Sequence, residues 1–445
     1  MFKYIGLLLF MSSTLLILGQ DTFSLFEAQL YAIENAEKYK REQLEVEIAK
    51  KQIVETRAMG LPQINGDLNV QRFLEVPVLA LDASFVDPTA PEGEFTTLRA
   101  GTDYNSTASL QMNQLIFDGS YIVGLQVSKF YKSFVDDNLL KTKQEILMDV
   151  TQAYELALVS RENKLFLDTL VNATKDLLEK QEALFELGMI TEEDVDQVRY
   201  SVLQAETNLS AANFTYENAQ AMLKLAMAYP QEEAIHLSDD LETIMRKALS
   251  SSLDGDISSN LDLLLLQKRK RLSEYDLQNI KMSNLPSLGA FFNQSYNYFS
   301  NDLELLNWDR WFGQSYIGVS LTVPIFSSGE RWAKTQKAKI AVKQDEYAIQ
   351  ELERTLKFRE VQLKNDFNQA LKQLELQKEN VKLAQRIYEN SLQKAEIGKE
   401  NPILITQKYS QLVSAQTQRV NAMIDMFNAR LSLDQLYNNI NTEKE

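Results

Sequence analysis

Few residues of this chain could do chemistry, and most of those fail to form a reactive set. The chain has one histidine and no cysteine, which removes thiol nucleophiles, disulfides and Cys-based metal centres. His236 follows Pro230 in a connector and reads as polar surface. The acidic pairs Asp136-Asp137 and Asp239-Asp240 have no base, nucleophile or metal-ligand partner at useful spacing. No catalytic constellation, cofactor site or metal site emerges. Lys268-Arg269-Lys270-Arg271 could suggest nucleic acid. A formal net charge of -16 opposes phosphate binding, and the run reads as a solvated helix face. What remains is electrostatic. Glu192, Glu193 and Asp194 stand together just past a glycine, and confined carboxylates of one sign raise the local cation concentration.

The elements that position these acids are helical. From Ser120 to Leu187 there is no Pro and a single Gly, Gly124; from Glu330 to Ile397 there is neither. At 1.5 Å per residue each stretch would span about 100 Å. A second helix of about 55 Å follows each turn, over Glu192–Ala228 and Ile403–Asn439. Leu352, Leu356, Leu363, Phe367, Ala370, Leu374, Val381 and Ala384 keep the three-and-four spacing of a coiled-coil seam. Val195, Val198, Val202, Ala205, Leu209, Ala212, Tyr216, Ala219 and Leu223 do the same on a returning helix. Both helical hairpins turn at glycine. In the first tip Gly188 suits a helix C-terminus and Thr191 an N-cap, and the three acids suit the positive end of the helix dipole. In the second, Gly398 makes the turn, Asn401 can cap and Pro402 takes the first helical position.

The whole arrangement occurs twice. Leu61-Pro62-Gln63-Ile64 returns as Leu285-Pro286-Ser287-Leu288, Ile116-Phe117-Asp118-Gly119 as Ile325-Phe326-Ser327-Ser328-Gly329, and Glu186-Leu187-Gly188 as Glu396-Ile397-Gly398. One unit of roughly 210–225 residues is duplicated in tandem, a longer period than a solenoid's. Each copy reads helix, strand, loop, strand, very long helix, turn, long helix. Scarce Gly (15) and Pro (8) favour uninterrupted helices. Lys3 followed by the apolar run Ile5–Leu18 reads as a secretory signal. The boundaries expected are a signal segment 1–20, a first repeat 21–235, a second repeat 236–440 and a tail 441–445. Strands fall at about 62–73 and 105–117, then 286–299 and 314–326; helical hairpins fall at about 119–228 and 329–439.

The strands alternate with period two. Ile64, Gly66, Leu68 and Val70 oppose Asn65, Asp67, Asn69 and Gln71; Ala108, Leu110 and Met112 oppose Ser109, Gln111 and Asn113. In the second repeat Leu288, Ala290, Phe292, Tyr296 and Tyr298 oppose Gly289, Asn293, Ser295 and Asn297, and Ile317, Val319, Leu321 and Val323 oppose Gly318, Ser320 and Thr322. An apolar outer face with a polar lumen is the pattern of a membrane barrel. Phe291, Phe292, Tyr296, Tyr298, Phe299, Trp308, Trp311, Phe312 and Tyr316 read as an interfacial girdle. The segments 73–104 and 300–313 read as loops at the outer ends of two hairpins. Four strands leave open edges, which cannot face lipid. The strands must close with other copies, a dimer or a trimer being the first candidates.

The duplication, the Leu-Pro before each first strand, the Phe-Asp-Gly after one strand pair and the glycine tips together resemble the TolC-like outer-membrane efflux channel family, over about Leu25 to Tyr437. The resemblance implies a mainly α chain with a membrane β-barrel portion: a homotrimer with one shared twelve-stranded barrel in the outer membrane of a Gram-negative bacterium and a periplasmic α-helical barrel tapering to a gated end. It implies no enzyme activity and no cofactor. Its partners would be outer-membrane lipid, a periplasmic adaptor and an inner-membrane transporter, reached directly or through the adaptor. The cargo would be drugs, other small molecules or polypeptides. The family's tip pattern, aromatic-x-x-Gly-x-x-Ser/Thr, is matched by Phe185, Gly188 and Thr191; at the second tip Ala395 replaces the aromatic and Asn401 the hydroxyl residue. Phe185, Leu187, Gly188, Thr191, Gly398 and Asn401 are thus expected to meet the adaptor. Glu192, Glu193 and Asp194 are expected to charge the aperture, and Leu404 and Ile405 to constrict it, since apolar constrictions gate by dewetting. The stretch Ile403–Gln407 lacks the acids some relatives place there. The alternative is a structural or adhesive outer-membrane coiled-coil protein without transport; the polar strand faces favour the duct.

Overall fold

A computed structural model describes residues 21–86, 88–89, 91, 93–250, 254–397 and 399–440. The expected signal segment 1–20, the tail 441–445 and Gly398 lie outside the described residues. The elements run β1 (Asp21–Phe23), α1 (Leu25–Asn35), α2 (Glu37–Ala58), β2 (Gln63–Arg72), β3 (Val78–Asp82), β4 (Phe95–Arg99), β5 (Tyr104–Phe117), α3 (Gly119–Glu186) and α4 (Glu192–Met227). The second half runs β6 (Ile235–Leu237), α5 (Leu241–Ser250), α6 (Leu261–Met282), β7 (Ser287–Ser300), β8 (Trp311–Thr322), α7 (Glu330–Ala395) and α8 (Pro402–Leu436). Mainly helical, with two like halves, this is the architecture the repeat demands. No helix among the described residues is long and apolar enough to cross a membrane. The chain divides into two compact units, one of residues 45–136 and 265–349, the other of residues 21–44, 137–264 and 350–440 among those described.

The first unit holds a four-stranded antiparallel sheet in the order β2-β5-β7-β8. Each repeat supplies one hairpin, and β5 pairs with β7 to join them. β2 and β8 are edges with one neighbour each. The segment 73–104, expected as a plain loop, contains a second hairpin, β3 with β4. Val78-Leu79-Ala80-Leu81 and Phe95-Thr96-Thr97-Leu98 have the β-branched and apolar residues for it, and the nearby Pro residues masked the pattern. Beyond the sheet, Asp118 Oδ1 accepts the Tyr121 amide at 2.8 Å and caps α3. Gly119 then has to be small, because an added Cβ would lie 2.7 Å from the Met282 carbonyl oxygen. The Phe-Asp-Gly motif is therefore a strand-to-helix corner. The basic run of α6 is bound rather than simply solvated. Lys268 donates to the Ser133 carbonyl at 2.8 Å, Lys270 pairs with Glu346 at 3.0 Å and Arg269 with Asp345 at 3.7 Å. Opposite charges on α7 and a backbone carbonyl on α3 hold it.

The second unit is built on the seams. Leu170, Val171 and Leu177 of α3, Val198, Ala205 and Ala212 of α4, Val381, Ala384 and Tyr388 of α7, and Ile405, Tyr409 and Leu412 of α8 form one buried cluster. Alanine at the crossing positions lets the helices approach closely. The buried hydroxyls are satisfied: Tyr388 shares a 3.1 Å bond with Thr174, and Tyr409 accepts from Asn208 at 3.1 Å. Burial pushes the Tyr388 phenol up to about 12, so it stays a neutral hydrogen-bonding group. A parallel pair, β1 with β6, ties the start of the first repeat to the start of the second. Tyr154 donates to the Phe23 carbonyl at 2.9 Å, and Arg161 donates to the Leu237 and Asp239 carbonyls, each at 2.8 Å. Three-residue strands carry too little periodicity to be seen in sequence.

Candidate functional site

Two surfaces carry the candidate residues, one in each unit. In the sheet, the register aligns side chains across all four strands. Ile64, Met112, Phe292 and Ile317 form one row, and Leu68, Ala108 and Tyr296 lie in another on the same face. Leu110 shares that face through its register with Gly66, and Leu321 through its pairing with Leu288. On the opposite face lie the rows Asn65, Gln111, Asn293, Tyr316 and Asn69, Thr107, Asn297, Phe312, with Ser320 opposite Gly289. Thr107 donates to Asn297 across the strands at 2.9 Å. Leu68 is 70% exposed and Ile317 80% exposed. Every 100 Å² of such surface left in water forgoes about 2.5 kcal/mol, so this chain alone does not complete the sheet's environment.

The polar face is not wholly polar. Phe291, Phe299, Phe312 and Tyr316 lie on it, beside the amides, whereas Phe292, Tyr296, Tyr298 and Trp311 lie on the apolar face. Phe291 packs edge-on against Tyr316 with centroids 6.1 Å apart, and Phe299 lies 6.2 Å from Phe312. The expected single girdle of aromatics is thus two sets on opposite faces. Strand parity decides this, and proximity along the chain conceals it. The four long strands contain one acid, Asp67, and one base, Arg72, whose guanidinium sits 5.6 Å from the Tyr104 ring.

The tips form the other surface. α3 ends with Gly188 at φ +73, a backbone conformation that suits glycine. The Met189 amide reaches back to the Leu184 carbonyl at 2.9 Å and that of Gly188 to Phe185 at 2.8 Å, the Schellman closure. Thr191 caps α4. Its hydroxyl accepts from the Asp194 amide at 3.2 Å, while Asp194 Oδ2 accepts from the Thr191 amide at 3.0 Å and hydroxyl at 2.7 Å. Asp194 is therefore a capping-box residue rather than a free aperture charge, because the orphan amides of a helix start claim its carboxylate. Glu192 and Glu193 are exposed, as are Phe185, Leu187, Gly188 and Thr191. Met189, 66% exposed, extends this apolar edge; its place beside Leu187 in the turn was the available signal.

At the second tip Asn401 Oδ1 accepts the Ile403 amide at 2.8 Å and Pro402 opens α8. The Lys399 amide reaches the Lys394 carbonyl at 2.8 Å. Leu404 is exposed, but Ile405 is 1% exposed and belongs to the core cluster. Ile405 cannot line an aperture: at the fourth position of α8 it falls on the same face as Tyr409 and Leu412, which pack inward. Ile403, 58% exposed, is the exposed apolar residue beside Leu404. Glu400 is held between Lys408 at 2.9 Å and Ser391 at 3.2 Å, and the Lys408 hydrogen bond keeps its carboxyl below the usual range. The two hairpins are joined near their ends. Lys180 pairs with Glu396 at 2.6 Å, Gln181 donates to the Ala395 carbonyl at 2.9 Å, and Ser201 and Thr406 share a 2.6 Å bond.

Comparison with known proteins places this geometry. Residues 31–228 and 257–439 each match the family described as Outer membrane efflux protein. The chain is 24% identical over 348 residues to the alkaline protease secretion protein AprF of Pseudomonas aeruginosa, covering 75% of this chain and 68% of that one. It is 24% identical over 249 residues to the outer membrane protein TolC of Vibrio cholerae, covering 53% of this chain and 54% of that one. Among solved structures, CusC superposes with a TM-score of 0.73 at 13% identity, covering 93% and 92% of the two chains. The Campylobacter jejuni CmeC outer membrane channel gives 0.68 at 16%, covering 93% and 85%. With two matched repeats, a sheet of one apolar and one polar face, and paired long helices closing in capped tips, this chain belongs to the outer membrane efflux protein family.

Proposed function

We propose that this protein is the exit duct of an efflux or secretion assembly: three copies closing one barrel in the outer membrane, with the helical tips meeting a periplasmic adaptor and, directly or through it, an inner-membrane transporter. The observation that carries the reading is the sheet. Its two faces differ in polarity, its outer strands β2 and β8 are largely exposed, and each of those strands has a neighbour on one side only. Lipid on the apolar face, water and cargo on the polar face, and β8 of one copy against β2 of the next satisfy all three at once. The similarity to AprF, a secretion protein by name, favours polypeptide cargo as one class; CmeC, a channel by title, is equally compatible with small molecules. The duct has no reaction to perform. Its work is to hold a polar path open at one end and gate it at the other. At the tips, Glu192 and Glu193 supply the field, Ile403 and Leu404 the apolar constriction, and Phe185, Leu187, Gly188, Thr191, Gly398 and Asn401 the surface for the adaptor.

The chain has no cysteine, so closure can be tested directly. Single cysteines placed along β2 and along β8 of the same chain should link copies under oxidation and trap a closed trimer on a non-reducing denaturing gel. Linkage that stops at dimers in every register, or runs on into open ladders, would rule out a three-copy barrel.

A further inference from the structure

α3 carries a glutamate where its sequence is otherwise apolar. Ala153, Tyr154, Ala157, Leu158 and Val159 are buried around Glu155, which is itself 8% exposed. It faces a cavity of about 300 Å³ whose walls come from α1, α3, α5 and α8, including Gln29, Thr151, Ile244 and Leu431. Among the described residues no group donates a hydrogen bond to Glu155 or forms an ion pair with it; the one charge that acts on it is Asp434, which repels. The two bases that line the cavity have partners of their own. Arg430 grips Asp434 with two bonds, of 3.0 and 2.6 Å, and Lys247 is likewise engaged. Burial disfavours an ionised, unpaired carboxylate in such a place. It must keep a proton or gain a cation.

We propose that this cavity is a binding site for a small primary amine, whose ammonium group pairs with the Glu155 carboxylate while its alkyl part lies against Leu25, Ile244 and Leu431. The cavity supplies neutral acceptors for the remaining N–H groups: Gln29 donates its amide nitrogen to Thr151 at 2.8 Å, which leaves its carbonyl oxygen free to accept. A bare divalent ion fits less well, because no group of three or more acidic or histidine ligands that could hold a metal occurs among the described residues. An anion fits less well: Asp434 repels it, and both bases already have partners. A ligand here would tie together helices from both repeats.

Binding balances as an exchange. Unliganded Glu155 is protonated at neutral pH, its carboxyl pushed up to about 8 by burial and by Asp434. The arriving alkylammonium keeps its own protons, and the Glu155 proton leaves to solvent. The test is calorimetric titration of the full-length protein with n-butylammonium, in two buffers of different ionisation heat and at several pH values. The expected result is one saturable site per chain that releases close to one proton at pH 7. Affinity should rise nearly tenfold per pH unit up to about pH 8 and level off above it. Glu155→Gln should abolish binding with folding intact by circular dichroism. Tetramethylammonium, which has the charge but no N–H, should bind at least tenfold more weakly. Absence of saturable binding at pH 9, binding that survives Glu155→Gln, binding without proton release, or equal affinity for tetramethylammonium would each overturn the proposal. None of these outcomes depends on whether the protein conducts.

Discussion

Glu155 and the tip acids are both carboxylates, and their environments give them opposite behaviour. Glu155 is buried and protonated, so without ligand it lowers stability as pH rises. Its folded value, about 8, lies above the ordinary glutamate value of about 4.3. Below the lower value both states are protonated and the full stability is present; it is lost progressively as pH climbs from there to about 8. The slope approaches 1.4 kcal/mol per pH unit at most. Glu155→Gln should flatten it, so thermal unfolding in detergent should show the variant gaining on the parent between pH 5 and pH 8. Parallel curves would mean that Glu155 is ionised in the folded protein. At the tip, Asp194 is committed to the cap of α4 while Glu192 and Glu193 are free to act on ions. Thr191→Ala should cost about 1 kcal/mol and leave selectivity alone. Replacing Glu192 and Glu193 by Gln should lower cation selectivity, read as the reversal potential in a salt gradient, and leave stability nearly unchanged. The sequence made the capping residues legible, because Thr-Glu-Glu-Asp after glycine has few other uses. It did not reveal that Ile405 is buried, since a residue's side of a helix depends on which neighbours pack there. The amine cavity was hidden because four distant segments build it; the lone glutamate between Tyr154 and Leu156 was its only trace.

Among the elements, the strands were the most readable. Alternation fixed which side chains share a face, and the register aligns those faces across both hairpins. The aromatic residues were harder. Phe291 and Phe292 are adjacent in sequence and opposite in space, so a cluster by position became two sets. The short pair β1–β6 and the hairpin β3–β4 were missed, one for brevity and the other for the prolines around it. The faces predict opposite penalties for charge. Leu321→Lys should cost roughly 2–4 kcal/mol if it lies near the bilayer midplane, visible as lost trimer on a semi-native gel. Ser320→Lys should leave the trimer intact and change conductance. Equal tolerance of both would place the strands in another environment. On the polar face, Phe291→Ser should alter conductance and leave assembly unaffected, because its ring meets Tyr316 edge-on among amides rather than against lipid.

At the scale of the molecule, tandem duplication explains why one chain brings two hairpins of strand and two of helix. Each repeat alone would leave half of these seams unfilled, since the buried cluster of the helical unit draws on both. The same economy leaves the sheet with an apolar face, a polar face and two open edges, which the proposed closure with further copies in a membrane would satisfy. A passive duct and a mere anchor would share that barrel, the coiled coils and the trimer; they differ in whether the polar face bounds a continuous path. The most direct measurement is therefore current through the purified, detergent-extracted protein inserted in a planar bilayer. Discrete steps of uniform size should appear, shift in cation preference when Glu192 and Glu193 become Gln, and change in size when Ser320 becomes Lys. Stable trimers that insert and pass no current, with the tips wild-type or with Ile403 and Leu404 replaced by Ser to relieve the constriction, would contradict the duct.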